Sequence, residues 1–264
     1  MMTPKDKWYE VIPLRHSIRA YTGEPVPGEL LEQLGRVAAG FSGPAARVVV
    51  TTEAVSQVFR GVAGSYGSIV DPPAYAAVIG NKADPTFQLM CGYAGEAVVL
   101  EAVSHGLGTC WVGGFFHPDV VANAMTLAPE EQVLAVIALG MDAQAANFSH
   151  RLIKKFARSH KRKSLDELVS GLPQTEWPAW MGAALECARL APSAVNRQPW
   201  RFLAEPGQIT VSVDSLSDTY RIAKRLDCGI AMLHLETGAR HLGVEGSWTY
   251  LDPPDVARYE LTTK

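Results

Sequence analysis

The chain has 264 residues, of which 47% are hydrophobic and 19% charged, with a formal net charge of −3. This length fits one large domain or two small, closely packed ones, and the composition excludes a disordered chain or a coiled coil. No basic run is long enough to predict nucleic-acid binding, and the longest apolar run, 133–141, is too short to cross a bilayer. The low share of charge suggests that apolar surface is buried against a partner, a ligand or another half of the chain.

The cysteines indicate a reducing compartment, because the four of them are far apart and form no CxxC pair. The N-terminal segment carries charge where a signal peptide has an apolar core. We therefore expect a cytoplasmic protein with no nucleic-acid or membrane partner. No cluster of histidine, cysteine and carboxylate residues has the spacing of metal ligands, so we also expect no metal.

The first part of the chain alternates helices and strands. Pro27 suits a helix entry and Gly40 a helix stop, and the apolar spacing between them predicts an amphipathic helix. A small-residue stretch in the longest predicted helix would let another helix approach closely. The expected helices are 28–40, 53–63, 86–106 and 118–127, and the expected strands are 47–52, 74–80, 108–112 and 133–140.

The second part follows a linker, for which 171–178 is the best candidate because it holds a glycine, two prolines and polar residues. A short helix at 163–169 precedes it. After it we expect a helix at 178–191, a loop, a hairpin of 201–205 with 209–214, a helix at 228–243, and a strand at 247–251 that ends the ordered part.

The order of elements repeats across the linker. Both 29–53 and 179–205 read as helix, small-residue loop and strand. Both 91–108 and 228–243 begin with Cys-Gly, continue as a helix and end in glycine. This weak self-similarity favours a duplicated or fused protomer. The alternative is that any two helix–loop–strand units look alike.

The segment Arg15-His16-Ser17-Ile18-Arg19 concentrates hydrogen-bond donors in one short stretch. Guanidinium groups match the planar, multi-oxygen geometry of a phosphate. The alternative is an exposed basic turn.

Residues 191–200, APSAVNRQPW, form a loop that two prolines hold rigid. Ser193, Asn196 and Gln198 offer donors and acceptors that suit the edge of a heterocycle. A plain helix-to-strand connection is the alternative.

The segment 106–116, GLGTCWVGGFF, brings two adjacent glycines after a strand. Gly113 and Gly114 would let bare backbone N–H groups approach a flat ligand. The glycine spacing is not that of a dinucleotide-binding fingerprint.

Taken together, these segments resemble the FMN-dependent nitroreductase family. RHSIR is similar to the family's phosphate motif, APSAVNRQPW to its flavin-edge motif, and GLGTCWVGGFF to the strand and loop that meet the isoalloxazine ring. The basic segment 157–169 resembles the family's second phosphate element. The resemblance implies an α+β fold, the three-layer nitroreductase arrangement with mixed, mainly antiparallel sheets flanked by helices. It also implies a set of FMN-binding residues: Arg15, His16, Ser17 and Arg19 with Lys161 and Arg162 at the phosphate; Pro192, Ser193, Ala194, Asn196 and Gln198 at the ring and ribityl chain; and the backbone of Val112, Gly113 and Gly114 at the reactive edge.

The motifs are divided between the two parts of this chain in a way that departs from the family. The flavin-edge motif normally follows the first helix, but here it lies after the linker, and the second part has no RHSIR. Family sites form between two protomers, so the division implies a single-chain pseudo-dimer with unequal halves, 1–172 and 173–264. One complete flavin site would remain, and the chain could be monomeric or associate further.

The resemblance implies an oxidoreductase with a small-molecule substrate and no catalytic side chain beyond the flavin. Our hypothesis is that NADH or NADPH reduces the flavin and that a nitroaromatic or a quinone then takes the electrons. Two alternatives stay open. The chain could be a flavin-binding module or sensor with little turnover, or it could run another FMN chemistry on the same fold, such as dehalogenation or flavin degradation.

Overall fold

The computed structural model describes residues 2–61, 63–64, 67–144, 161–218 and 222–262. The first part of the chain contains a four-stranded sheet and its helices. Its elements are α1 (Asp6–Val11), α2 (Gly28–Phe41), β1 (Ala46–Thr51), α3 (Val55–Val58), β2 (Ala63–Gly64), β3 (Gly67–Ser68), β4 (Ala74–Asn81), α4 (Phe87–Ser104), β5 (Gly108–Val112), α5 (Pro118–Met125) and β6 (Glu131–Gly140).

The second part contains a five-stranded sheet and two long helices. Its elements are α6 (Leu165–Leu168), β7 (Val169–Gly171), a 3₁₀ turn (Gln174–Glu176), α7 (Ala179–Arg189), a second 3₁₀ turn (Ala194–Asn196), β8 (Trp200–Glu205), β9 (Gln208–Val213), α8 (Lys224–His241), β10 (Gly246–Tyr250) and β11 (Asp255–Leu261).

Two of the predicted elements are wrong. The helix expected over 53–63 is only the four-residue α3, because Ala54 enters with φ of 54° and Gly61 turns the chain with φ of 66°. The strand at 247–251 does not end the ordered part, since β11 follows it. Strand β11 buries Val256, Ala257 and Tyr259, and it lies between β9 and β10 in the sheet.

The two sheets share one order of strands. In the first sheet the order is β1-β4-β6-β5, and in the second it is β8-β9-β11-β10, with every neighbouring pair antiparallel. The second sheet has one extra strand, β7, which lies parallel to β8. The α+β class and the mainly antiparallel sheets are therefore confirmed. The division of the chain at 172/173 stays a prediction.

The long helices α4 and α8 cross at the centre of the molecule and correspond residue by residue. Each has 18 residues, and a shift of 137 positions relates Gly92 to Gly229 and also Trp111 to Trp248. A Cβ built on Gly92 would lie 2.0 Å from the Leu226 carbonyl oxygen, and one built on Gly229 would lie 1.9 Å from that of Leu89. The two helix backbones therefore touch reciprocally, which only glycine permits.

The main core fills the space between the two sheets and is built from apolar residues of both parts of the chain. Nearly every side chain in the middle of α4 is buried, as expected for a helix that is apolar all round. A smaller cluster covers the outer face of the first sheet under α3 and α5. No helix in the described ranges is both long and apolar enough to cross a membrane.

Candidate functional site at the junction of the two halves

The segment 15–19 lies beside the edge strand β5. Ser17 forms a parallel bridge with Thr109, and the Ile18 N–H donates to the Thr109 carbonyl at 2.9 Å. A Cβ on Gly108 would lie 2.9 Å from the Ile18 side chain, so this contact also depends on a glycine. The backbone pairing places 15–19 next to the strand that leads into the Gly113-Gly114 turn.

Arg15 is buried, with 8% of its surface exposed, and its guanidinium makes no hydrogen bond with any residue in the described ranges. Burial lowers its pKa, and Glu96 acts against that effect. A buried guanidinium without a hydrogen-bond partner is costly, so the fold keeps Arg15 at the expense of stability. This cost is expected where an anionic ligand completes the site.

Arg162 reaches the same region from the other side. Its guanidinium donates to the Asn196 side-chain oxygen and, at 3.1 Å, to the Leu190 carbonyl. Burial, followed by the positive charges of Arg15 and Arg189, lowers the pKa of Arg162 to about 10. Two guanidinium groups therefore share one poorly solvated region, which favours binding of an anion.

The loop 192–198 has a strained backbone. Val195, Asn196 and Gln198 have φ of 48°, 55° and 48°. The left-handed region is a true outlier for a β-branched residue such as Val195, and such strain costs on the order of 1–3 kcal/mol. The Ser193 hydroxyl helps to hold this shape by accepting from the Gln198 N–H at 2.9 Å. Strain of this kind collects at ligand-binding sites.

Gln198 and Lys161 join this loop to the basic segment. The Gln198 side-chain oxygen accepts from the Lys163 N–H at 2.8 Å, and its amide nitrogen donates to the Lys161 carbonyl at 3.2 Å. The Asn196 amide donates to the same carbonyl at 3.0 Å. Gln198 thus holds the segment that carries Arg162, and Lys161 contributes its carbonyl while its side chain is exposed. The rest of the predicted basic segment, 157–160, lies outside the described residues.

Asp227, on α8, holds the loop 192–198 in place through two hydrogen bonds. The sequence analysis did not predict this role. Asp227 accepts from the Ala194 N–H at 3.1 Å and from Arg197 Nε at 2.6 Å. Burial raises its pKa to about 6, although the Arg197 charge opposes the rise. An acidic residue in the first turn of a helix is a common pattern, so only the tertiary contact identifies it.

The glycine turn after β5 lies against the second part of the chain. Val112 is buried at the end of the strand, and a Cβ on Gly113 would lie 3.2 Å from Cδ1 of Ile222. Phe115, just beyond Gly114, is 48% exposed. Bare backbone at 113–114 is therefore available at the edge of the same region.

A buried polar network lies behind the site and was also missed by the sequence analysis. The Trp111 indole donates to Glu96 Oε2 at 2.7 Å, and His234 Nε2 lies 2.8 Å from Glu96 Oε1. Glu96 and His234 are fully buried. Because the network joins β5, α4 and α8, local sequence patterns could not predict it.

The structure brings most of the predicted residues to one junction. The segment 15–19 pairs with the strand that leads into the 112–114 turn, and Arg162 binds Asn196 of the loop 192–198. The charge of Arg15 acts on the pKa of Arg162 and so relates these two groups, and Pro192 is buried at the start of the loop. Within the described ranges, no group of three histidine, cysteine or carboxylate residues could hold a metal. Burial raises the pKa of the Cys110 thiol beside this junction, which keeps it protonated and unreactive.

A family model described as "Putative TM nitroreductase" matches residues 7–239. The chain belongs to this family. Its fold is similar to that of a crystal structure described as "a putative nitroreductase" from Thermotoga maritima, with 21% identity, a TM-score of 0.67, and coverage of 98% of this chain and 94% of that one. The predicted nitroreductase fold is therefore confirmed.

Two further solved structures match over a smaller part. A nitroreductase family protein from Clostridium difficile has 22% identity and a TM-score of 0.48, covering 61% of this chain and 96% of its own. A protein from Parabacteroides distasonis, described as "Putative NADH dehydrogenase/NAD(P)H nitroreductase", has 22% identity and a TM-score of 0.45, covering 53% and 89%. A search of curated proteins finds no match.

Proposed function

We propose that this member of the nitroreductase family is an FMN-dependent oxidoreductase. It would accept electrons from NADH or NADPH and pass them to a small oxidised acceptor such as a nitroaromatic or a quinone. The observation that carries the proposal is Arg15, a buried guanidinium that makes no hydrogen bond with the part of the chain that the structure describes, near a second poorly solvated guanidinium on Arg162.

The donor set fits the phosphate of FMN. A phosphate monoester carries close to two negative charges at neutral pH, and arginine offers it paired N–H donors. Among the described residues the Arg15 guanidinium has no hydrogen-bond partner, so bound phosphate would relieve its desolvation. His16, Ser17 and Arg19 lie on the same short segment and would complete the binding of the phosphate.

When bound, FMN would supply the redox chemistry, and the protein would supply binding, orientation and electrostatics. The strained loop 192–198 would lie against the ring and the ribityl chain, with Ser193, Ala194 and Asn196 in contact. The backbone N–H groups at Gly113 and Gly114 would stabilise negative charge at the edge of the ring. Phe115 is exposed beside this turn and would contact the acceptor.

We also propose that the chain is a single-chain pseudo-dimer with one FMN site. The shared strand order and the reciprocal glycine contact support this view. In the second half the Trp248 indole, the counterpart of Trp111, donates to Glu236, and Arg240 also donates to that carboxylate. The counterpart of Glu96 itself is Leu233, so the second half has no carboxylate at that position. A monomeric state and a cytoplasmic location stay predictions.

The first test is whether the purified protein is yellow and releases FMN on denaturation, at one FMN per chain. Anaerobic stopped-flow mixing with NADH or NADPH should then bleach the flavin absorbance, and a quinone or nitroaromatic should restore it. Protein that takes up no FMN would overturn the cofactor assignment. Bound FMN that neither nucleotide reduces would overturn the electron-transfer function while leaving flavin binding intact.

A further inference from the structure

The buried pair of Glu96 and His234 fixes where the Glu96 carboxylate points. Oε2 accepts from the Trp111 indole at 2.7 Å, and Oε1 lies 2.8 Å from His234 Nε2. Each carboxylate oxygen therefore has one partner. One partner comes from β5 in the first half of the chain, and the other from α8 in the second half.

The other ring nitrogen of His234 decides the protonation pattern. Nδ1 lies 3.0 Å from the Cys187 carbonyl oxygen, which can only accept, so Nδ1 carries a proton. A second proton lies between Nε2 and Glu96 Oε1. The pair is neutral as a whole whichever atom holds that proton, so it can stay buried without a further counter-ion.

If His234 did not bind the Glu96 carboxylate, Arg15 would be a candidate to form an ion pair with it. Glu96 is near enough to act on the pKa of Arg15, yet the two form no hydrogen bond. A buried carboxylate and a buried guanidinium gain strongly from a direct ion pair. Such a pair would use the N–H groups that a phosphate needs.

The second half of the chain binds a different carboxylate under its tryptophan, because the counterpart of Glu96 is Leu233. Trp248 corresponds to Trp111 and donates to Glu236 at 2.9 Å. There the carboxylate accepts from Arg240 Nε at 3.1 Å and from the Tyr93 hydroxyl at 2.6 Å, and no imidazole takes part. Arg240 lies four positions after Glu236 on the same helix, so a buried carboxylate that accepts from this tryptophan can pair with an arginine at the same time.

We propose that His234 is a positioning residue that holds Glu96 away from Arg15 and so keeps the Arg15 guanidinium available to an anionic ligand. The inference rests on the proposed function, in which that ligand is the FMN phosphate. It assigns the role to a residue of α8 that does not itself contact the ligand.

The experiment measures FMN and riboflavin binding to the apoprotein by quenching of flavin fluorescence. His234→Leu should weaken FMN binding at least about tenfold, because Glu96 then pairs with Arg15. Riboflavin has no phosphate, so its affinity should change much less. His234→Gln, which can still donate to Glu96, should retain most of the FMN affinity.

The double variant His234→Leu/Glu96→Gln separates positioning from a merely structural role. Without the carboxylate, nothing captures Arg15, so FMN affinity should return to within about threefold of the wild type. A structural role predicts the opposite, because a second buried polar contact has been disturbed. His241→Leu on the same helix is the matched control, since His241 stacks on Tyr9 away from Glu96 and should leave FMN binding unchanged.

Thermal melting of each apoprotein checks that it folds. If His234→Leu does not fold, the comparison of wild type with His234→Gln and Glu96→Gln decides, and both should bind FMN as the wild type does. FMN affinity that stays low in the double variant, or falls in Glu96→Gln alone, would overturn the inference. Wild-type protein that binds no FMN would instead overturn the proposed function.

Discussion

The first and second parts of the chain share one strand order and each contains a long central helix, but the buried carboxylate on that helix has different partners in the two parts. In both, a tryptophan on the strand after the long helix donates to a buried carboxylate on that helix. In the first half the second oxygen of that carboxylate is held by His234, and in the second half Arg240 and Tyr93 share the carboxylate. We expect the shared framework to supply stability, whereas our proposal makes the partner of the Glu96 carboxylate decide whether Arg15 stays available to an anion.

The largest expected effect tests the shared framework. Gly92→Ala or Gly229→Ala would place a Cβ about 2 Å from a carbonyl oxygen of the crossing helix, and neither backbone can move away without opening the core. Each variant should lose about 4 kcal/mol or more of unfolding free energy, or fail to fold. Urea unfolding measures it.

Gly182→Ala is the matched control for this prediction. Gly182 also lies inside a helix, α7, but a Cβ there would meet nothing within 4 Å. This variant should gain up to about 1 kcal/mol, because alanine is the better helix former. Equal losses at 92 and 229 would support the internal symmetry. A tolerated alanine at either position would contradict the crossing geometry.

The next effect separates stability from binding at Arg15. Arg15→Met removes a buried charge that has no hydrogen-bond partner, so the apoprotein should be stabilised by about 1–2 kcal/mol. FMN affinity should fall about 100-fold or more, because charge-assisted bonds to phosphate contribute about 1.5–3 kcal/mol each.

Arg47→Met is a suitable control for that variant, because Arg47 is paired with Glu131 at 2.7 Å on the first sheet. Its loss should leave FMN binding unchanged and give no stabilisation. An Arg15→Met protein that melts below the wild type would show that the guanidinium is satisfied in the apoprotein, contrary to the structure.

A smaller loss of stability is expected when the two corresponding tryptophans, Trp111 and Trp248, are replaced one at a time. Trp111→Phe and Trp248→Phe each leave a buried carboxylate oxygen without its indole donor, and both should cost about 1–3 kcal/mol of stability. Only Trp111→Phe should also weaken FMN binding, since Trp111 directly precedes the 112–114 turn and holds Glu96. Isothermal titration of the two variants checks this, and equal affinities would remove the distinction between the halves.

The sequence predicts those helices and strands that follow from local patterns, and it misses features that depend on contacts between residues far apart in the chain. The helices α2, α4, α7 and α8 and most strands follow from apolar period and turn residues, and the repeat of Cys-Gly points to the central crossing. The sequence analysis ended the ordered part at 251 and so missed β11, whose order comes from pairing with strands on both sides.

The candidate site was predictable where its residues are consecutive, as in 15–19 and 192–198. The residues that support it were not. Glu96 and His234 are 138 positions apart and meet only when the two long helices cross. The loop strain at Val195 also has no sequence signal, since valine normally avoids positive φ.

The smallest expected effect is a difference in pH dependence at Asp227, the residue that anchors the flavin-edge loop. The corresponding residue of the first half is Met90, 137 positions earlier, so only the second helix carries a charge here. Burial raises the pKa of Asp227 from 3.8 to about 6, against the effect of Arg197. The folded state therefore keeps this proton to a higher pH than the unfolded state does.

The sign of the effect follows from that difference. Below about pH 4 Asp227 is protonated in both the folded and the unfolded state, so it contributes no pH dependence to stability. Between about pH 4 and 6 it ionises only in the unfolded state, so the free energy of unfolding falls as pH rises. From pH 7 to pH 5 the wild type should therefore gain about 1–2 kcal/mol relative to Asp227→Asn, whose side chain still accepts from Ala194. Urea unfolding of both proteins at the two pH values measures it. A constant difference between them would mean that Arg197 keeps Asp227 ionised throughout, and the loop would then be anchored by a permanent ion pair.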